Sequence, residues 1–471
     1  MPNFHLNADT VVAASAVIHV AAAGGVGYLV DQGTTGPNFT NNGDVAFTQA
    51  VGQAGATGLQ LALGSGINWI GGTVDNEGHF SVTSQGSATF LFSESMPIIL
   101  NGGTITVSAG GAAEGIDIVQ KYQVYVNALA NTVTNTGQIV VSGAGSATGL
   151  LLGHGGVVFN SGAITVTGAA PGTVVHGIWS TMPTLVDNSG QIVAIDNDPN
   201  LDSVAVHVGG GSAPIHNTGV ITGDIAIEDV APNISDSQFQ SIINDGVING
   251  RIVINVNPIT NVHVGIANNG TINGDVSLGP GAQNYFGQQG IQNGLISGGE
   301  GDDAIYGGAF HDALQGNQGN DRLYGMGGDD IVVGGKDDDL EFGDDGNDVV
   351  WGNLGNDTVD GGAGNDQVRG GQGDDSVSGG AGDDFVSGDR GNDTISGGAG
   401  ADIFHGSQDA GLDKVLDFNL VEGDRVQLDP GTTYTLSQVG ADTVIDMGGA
   451  NQMVLVGVQL STLTPGWIFG A

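Results

Sequence analysis

The chain has 471 residues, 87 of them glycine, no cysteine, and 50 acidic side chains against eight basic ones, for a net charge of −42. That balance argues against nucleic acid and anionic membrane as partners and makes cations the natural counterpart, while the lack of cysteine removes disulfide staples, thiolate metal sites and thiol nucleophiles. The length suits two or three domains or one long repeat array, and internal repeats favour the array.

Residues 1–40 read as an N-terminal cap or assembly segment. Their most continuous apolar run, 11–30, follows ten residues without Lys or Arg, so it lacks the basic start of a secretory signal, and its Ala/Gly content and His19 argue against a membrane span. It is also a candidate self-association contact. Export is expected to be addressed from elsewhere in the chain.

Residues 41–297 carry a long period marked by Asn-x-Gly and then an apolar β-former. Copies include Asn41-Asn42-Gly43-Asp44-Val45, Asn101-Gly102-Gly103-Thr104-Ile105, Asn160-Ser161-Gly162-Ala163-Ile164 and Asn244-Asp245-Gly246-Val247-Ile248. A near-constant step of about 24 to 35 residues, a turn dipeptide and Val/Ile/Thr alternation predict a β-solenoid of about ten coils. Asn at such a turn can hydrogen-bond the Asn of the next coil and build a ladder. A two-sheet β-sandwich array is the alternative. Within this half, Asp196-Asn197-Asp198-Pro199-Asn200-Leu201-Asp202 reads as a solvated loop or a loop calcium site, and His176, Trp179 and His207 as stacked coil positions or a sugar-binding groove.

Residues 298–405 are one nine-residue unit written twelve times without an insertion, as in Gly361-Gly362-Ala363-Gly364-Asn365-Asp366-Gln367-Val368-Arg369. Glycine opens every unit, and aspartate holds every sixth place: Asp303, Asp312, Asp321, Asp330, Asp339, Asp348, Asp357, Asp366, Asp375, Asp384, Asp393 and Asp402. The eighth place is apolar in eleven copies, with Glu341 the exception. Glycines at the start permit positive φ and a tight turn, and the eighth place sits in a short strand and points inward. Two units make one coil, so Asp303 lies beneath Asp321. Carboxylates stacked at strand spacing, about 4.8 Å, repel unless a cation lies between them. Hard oxygen ligands in flexible geometry suit Ca²⁺ better than Mg²⁺. This stretch holds 24 acidic and four basic side chains. Twelve units paired along the stack give at most about ten inter-repeat sites, enough to bring the region close to neutral. The fifth unit, 334–342, departs most, with Asp337 at a glycine place and Glu341 at the apolar place, so Asp339 is expected to matter less than Asp375. Phe310 likewise replaces the fourth-place glycine of the second unit.

The unit resembles the Gly-Gly-x-Gly-x-Asp-x-apolar-x repeat of RTX, or haemolysin-type calcium-binding, proteins. That resemblance implies a parallel β-roll with Ca²⁺ held in the turns by the twelve sixth-place aspartates and backbone carbonyls. Residues 41–297 are similar to the right-handed parallel β-helices of bacterial adhesins and surface proteins. Residues 406–471, with Asp413-Lys414-Val415 and Gly423-Asp424-Arg425-Val426, resemble the segment that caps RTX rolls. In that family the uncleaved tail carries the type I secretion signal.

The expected fold is therefore all-β, a solenoid running into a calcium-binding β-roll with a short C-terminal β cap. RTX proteins include enzymes, toxins and surface-layer subunits, so the roll does not name an activity. The sequence lacks His-Glu-x-x-His and Gly-x-Ser-x-Gly, and only Lys121 and Arg251 are basic before residue 298. No catalytic residue is nominated. The functional expectation is a calcium-dependent structural protein of a Gram-negative cell surface (S-layer, filament or biofilm matrix) that self-assembles, is exported by type I secretion machinery and contacts surface polysaccharide. A polysaccharide lyase or epimerase, or a monovalent adhesin, is the alternative.

Overall fold

A computed structural model describes residues 73–470 apart from 78, 85–87, 94–97, 119–131, 154–155, 199, 210–213, 232–238, 257–262, 288 and 409; of residues 1–72 it describes strand backbones alone. Among the described residues the only helical element is a single 3₁₀ turn, Leu460–Thr462; everything else regular is strand. No helix is long and apolar enough to cross a membrane. The chain forms two compact units, Met1–Thr260 with Gly270–Gly274, and Asn261–Asn269 with Asp275–Ala471.

In the first unit each coil lays its strand in parallel register on the previous one, which settles the choice between solenoid and antiparallel sandwich. The register is set by the Asn-x-Gly signature. Asn76, Asn101, Asn135, Asn160, Asn188, Asn217 and Asn244 stack one above another. Three residues after each Asn-x-Gly opens, the chain enters a second strand whose first inward residues form a column: Phe80, Ile105, Ile139, Ile164, Ile192, Ile221, Ile248 and Ile272. All eight are fully buried, so the column is the spine of the core. The asparagines are also buried, and each Nδ2 donates to the Oδ1 of the next, from Asn76 through to Asn244, at 2.6–2.9 Å. A buried amide costs stability unless paired, and here every coil supplies the partner of its neighbour.

The glycine of Asn-x-Gly has a reason that the turn signature alone does not reveal. A Cβ on Gly162 would lie 2.0 Å from the carbonyl oxygen of Gly137, and one on Gly190 2.0 Å from that of Gly162. Close approach of stacked backbones, rather than a left-handed φ, excludes every other residue there.

In the second unit the period shortens to 18 residues per coil. Strands nine residues apart alternate between two sheets, and strands eighteen apart pair in parallel. Two core columns result: Leu314, Val332, Val350, Val368, Val386 and Phe404 on one sheet, and Ile305, Leu323, Glu341, Val359, Val377 and Ile395 on the other. All are buried, as the eighth-place pattern requires. Outward-facing ninth-place rings Tyr306, Tyr324 and Phe342 stack as well, continued by Phe286 before the first unit, at centroid spacings of 4.8–5.3 Å.

The roll ends in a true cap. Leu412–Val415 and Arg425–Leu428 continue the two sheets in parallel, and the antiparallel strands Thr435–Val439, Asp442–Asp446 and Gln452–Leu455 then close one edge. Trp467 packs edge-on against Phe418, which leans on Phe404 at the top of the core. An uncovered solenoid end would present unpaired strand edges, and this hairpin covers one.

Candidate metal centre

Each nonapeptide builds its turn from backbone first. Place two takes positive φ in all twelve units and place four in ten, Phe310 and Gly346 being the exceptions: Gly362 has φ 104° and Gly364 φ 142°. Where place two is not glycine it is Asn317, Met326, Asp344, Asn353 or Asp389, all at positive φ; apart from Met326 these are the asparagines and aspartates that tolerate the region best. Asp337, at place four of the fifth unit, also holds φ 75°. The departure there is absorbed without breaking the turn. Phe310, by contrast, is not among the positive-φ residues and stands 47% exposed, so the second unit's turn differs.

These turns orient the sixth-place aspartates identically. The backbone N–H of each donates to the Oδ1 of the aspartate eighteen residues on, from Asp303 to Asp321 and from Asp312 to Asp330 through Asp384 to Asp402, at 2.7–3.0 Å. All twelve aspartates predicted from the sequence are therefore brought into two columns, and all twelve are buried. That bond fixes one oxygen and leaves the other. Oδ2 is buried without a hydrogen-bond partner in Asp303, Asp321, Asp330, Asp339, Asp348, Asp357, Asp366, Asp375, Asp384, Asp393 and Asp402. Asp312, in the unit that Phe310 alters, is not among them.

The second half of the site is the first-place glycine. A methyl group placed on any of the twelve would sit 2.1–2.8 Å from the Oδ2 of the same unit's aspartate. At Gly298, Gly316, Gly325, Gly352, Gly361 and Gly379 it would also meet the carbonyl oxygen of the glycine eighteen residues on, at 2.5–2.8 Å. Each turn thus holds a small space walled by a carboxylate oxygen, and in these six by a carbonyl oxygen as well, open only because the residue beneath has no side chain.

Burial without a counter-charge raises the pKa values of these groups. Desolvation pushes Asp303 and Asp339 up to about 8, Asp321, Asp330, Asp375 and Asp384 to about 7, and Asp312, Asp357, Asp366, Asp393 and Asp402 to about 6; Asp348 shifts in the same direction. A column of desolvated carboxylates with one free oxygen each is a donor set for a hard, multi-oxygen cation, and Ca²⁺ fits it.

A family model for the RTX calcium-binding nonapeptide repeat matches in four copies, at residues 293–314, 306–341, 342–377 and 378–412. These residues are RTX calcium-binding repeats. Among solved structures, extracellular lipase LipA from Serratia marcescens aligns over 48% of this chain and 45% of its own, at 16% identity and a TM-score of 0.17. This chain thus spans less than half of that lipase, and so loose a likeness carries no argument about activity. Comparison with curated proteins finds no match.

The RTX columns extend past the twelve nonapeptides. Asp393 donates its N–H to Asp413 Oδ1 at 3.2 Å, and Asp402 to Asp424 Oδ1 at 3.0 Å. Asp413 and Asp424 are both buried, and desolvation pushes Asp413 up to about 8. They fall two and four residues out of phase, which hides them from a strict nine-residue count, although Asp413-Lys414-Val415 and Asp424-Arg425-Val426 repeat the Asp-x-apolar half of the unit. At the other end Gln283 donates its N–H to Asp303 Oδ1 at 2.7 Å. The fifth places form a further, exposed ladder, in which Asn365 N–H donates to Asn347 Oδ1 and Asp383 N–H to Asn365 Oδ1.

The two clusters of the first half engage their neighbours in the stack, although Asp196 Oδ2 is buried without a hydrogen-bond partner. The Asp196 loop closes on itself, with Asp198 N–H donating to Asp196 Oδ1 and Asn200 N–H to Asp198 Oδ1, while Asp202 pairs with Arg251 at 2.8 Å. Trp179 and His207 occupy the same register position on successive coils, their rings stacked at 3.6 Å, and His207 Nδ1 lies 2.7 Å from Glu228 Oε2 on the next. The facing ring surfaces of Trp179 and His207 cover each other.

The glycine cradle can be tested apart from the carboxylates. Gly370 is not at a positive φ, so alanine is conformationally allowed, but its methyl group would lie 2.4 Å from Asp375 Oδ2. Calorimetric calcium titration of Gly370→Ala should show at least one ion fewer than wild type, matching Asp375→Ala, whereas the exposed Ser376→Ala keeps the wild-type count. A wild-type count in Gly370→Ala would place the ion elsewhere.

Proposed function

We propose that the chain is a secreted structural protein whose roll, 298–405, folds on extracellular Ca²⁺ and which then assembles into a surface layer, filament or matrix, with the twelve sixth-place aspartates as calcium ligands. The observation that carries the calcium part is the row of eleven buried, unpartnered Oδ2 atoms. Such oxygens are stable inside a protein when a cation completes them, and extracellular fluid supplies calcium at the required level. The solenoid supports the structural part. Its buried amides bond along the stack, coil to coil, as a rigid scaffold demands. In this reading 1–40 serves as the assembly segment, 41–297 as the solenoid and 406–471 as cap and type I secretion signal. Of residues 1–40, including the apolar run 11–30, only strand backbones are described.

Calcium neutralisation links folding to assembly. An unloaded roll carries the self-repulsion of 24 acidic side chains, and each bound ion removes two charges that keep copies apart. Light scattering across a calcium series should therefore show growth from single chains to large assemblies at millimolar calcium, with ordered arrays or fibres in electron micrographs. A strict monomer at high protein and calcium concentration would overturn the assembly reading. Turnover of alginate or pectin by that monomer would put a polysaccharide lyase or epimerase in its place.

A further inference from the structure

The fifth nonapeptide breaks the core rule, and it does so at one atom position that matters. Glu341 stands in the eighth-place column, directly between Leu323 and Val359 in the neighbouring coils. Its side chain is fully buried, and neither Oε1 nor Oε2 has a hydrogen-bond partner. An ionised carboxylate sealed among apolar side chains costs several kcal/mol unless something positive meets it. Every other copy of this place is apolar, six of them valine, so the fold itself does not ask for a carboxylate there.

The side chain does not point at random. A methyl group on Gly334, the first-place glycine of the same unit, would lie 2.0 Å from Glu341 Oε1 and 2.5 Å from Asp339 Oδ2. Glu341 therefore reaches from the core column into the cradle that Asp339 shares with its unit's glycine. Oxygens of Asp339, Glu341 and Asp357 all lie within 4.8 Å of one another, the only such trio among the described residues. Asp339 and Asp357 each bring an unpartnered Oδ2 as well. The other turns present one carboxylate from each neighbouring unit; this one adds a third, from inside.

We propose that Glu341 is a direct cation ligand, making the Asp339–Glu341–Asp357 turn a three-carboxylate site that takes a hard divalent cation more tightly than any other turn and fills first. A third carboxylate adds negative charge and up to two more oxygens to a site that otherwise draws on backbone carbonyls, and calcium affinity rises with the number of charged ligands. The position suits a nucleus. The fifth unit lies inside the array, and order gained there spreads to stacked neighbours on both sides through the bonds from Asp321 to Asp339 and from Asp339 to Asp357. Irregularity in the sequence thus marks the strongest turn, the reverse of the ranking that repeat regularity gives.

The inference rests on the calcium reading of the roll, and one titration separates the two. Full-length wild type, Glu341→Gln and Glu341→Val are titrated with Ca²⁺ against a competing chelator, and β content is followed by circular dichroism. Valine is the commonest residue at this place, so Glu341→Val is built to fold. Wild type should show one ion bound at least tenfold more tightly than the rest, and both variants should lack that ion while keeping the others. The calcium midpoint for folding should rise in both, even though Glu341→Val relieves a buried carboxylate and is the more stable of the two in chelator. Variants that bind their first ion as tightly as wild type would overturn the third ligand and leave the roll's calcium binding intact. A wild type that binds no calcium would instead overturn the underlying reading.

Discussion

Removing calcium at neutral pH should abolish the strand structure of residues 298–405, and restoring it should bring that structure back. Eleven buried carboxylate oxygens without a partner, in a stretch with 24 acidic and four basic side chains, cannot close against their own repulsion and desolvation. Metal binding then becomes the folding free energy of the roll, with stability rising as the logarithm of free calcium above the dissociation constant. The first unit is held by amide ladders and Ile columns that need no ion, so roughly the solenoid's share of the circular dichroism signal should survive chelation. Full β content in chelator, unchanged on adding calcium, would refute the prediction.

Protons should substitute for calcium in part. The aspartates' folded pKa values, about 6 to 8, lie above their ordinary value of 3.8, so the metal-free roll binds more protons folded than unfolded throughout that interval. Its stability is fully present below about pH 4 and is lost as pH rises through 6 to 8. In chelator, β signal should accordingly return on acidification from pH 8 to pH 5. With calcium present the same protons compete for the ligands, and the calcium midpoint should rise over the same interval. A midpoint that does not move between pH 8 and pH 6 would mean that these carboxylates are not the ligands.

The fold was legible wherever spacing alone decides it. A strict nine-residue period forces two units per coil, and the eleven apolar eighth-place residues, from Ile305 to Phe404, lie in the core that this period predicts. The asparagine ladder also follows from a turn residue recurring once per coil. Two features were hidden because a linear period does not show them. Asp413 and Asp424 join the aspartate columns only once insertions of two and four residues have been looped out, which no periodic count can anticipate. Glu341 reads as a flaw in the sequence, since nothing in a linear pattern shows that an inward side chain at place eight reaches the space above the glycine at place one. The glycine of Asn-x-Gly was read as a turn former, and the structure shows instead that neighbouring backbones pass too close for a Cβ.

Replacing Asn160 by alanine should cost the first unit about 2–6 kcal/mol, from two buried groups orphaned at about 1–3 kcal/mol each. Asn160 is fully enclosed, accepts from Asn135 Nδ2 at 2.7 Å, and donates to Asn188 Oδ1 at 2.7 Å and to the Gln191 carbonyl at 3.0 Å. Its loss strands a donor on one coil and an acceptor on the other, in a column whose asparagines are all buried. Asn249 gives the comparison within the same unit. It donates to Thr222 Oγ1 at 3.1 Å and accepts from Asn273 at 2.8 Å, but it lies on the outer face where water replaces both bonds. Asn249→Ala should therefore lower the unfolding free energy of the calcium-free chain in urea little, by about 0.5 kcal/mol or less, while Asn160→Ala lowers it several times more. Because a parallel stack transmits loss only to nearest neighbours, the effect should appear as early hydrogen exchange in strands Thr132–Asn135, Gly156–Asn160 and Thr184–Asn188 before the remaining coils open. Equal shifts in the two variants would show that the ladder is a by-product of stacking rather than the bond that fixes its register.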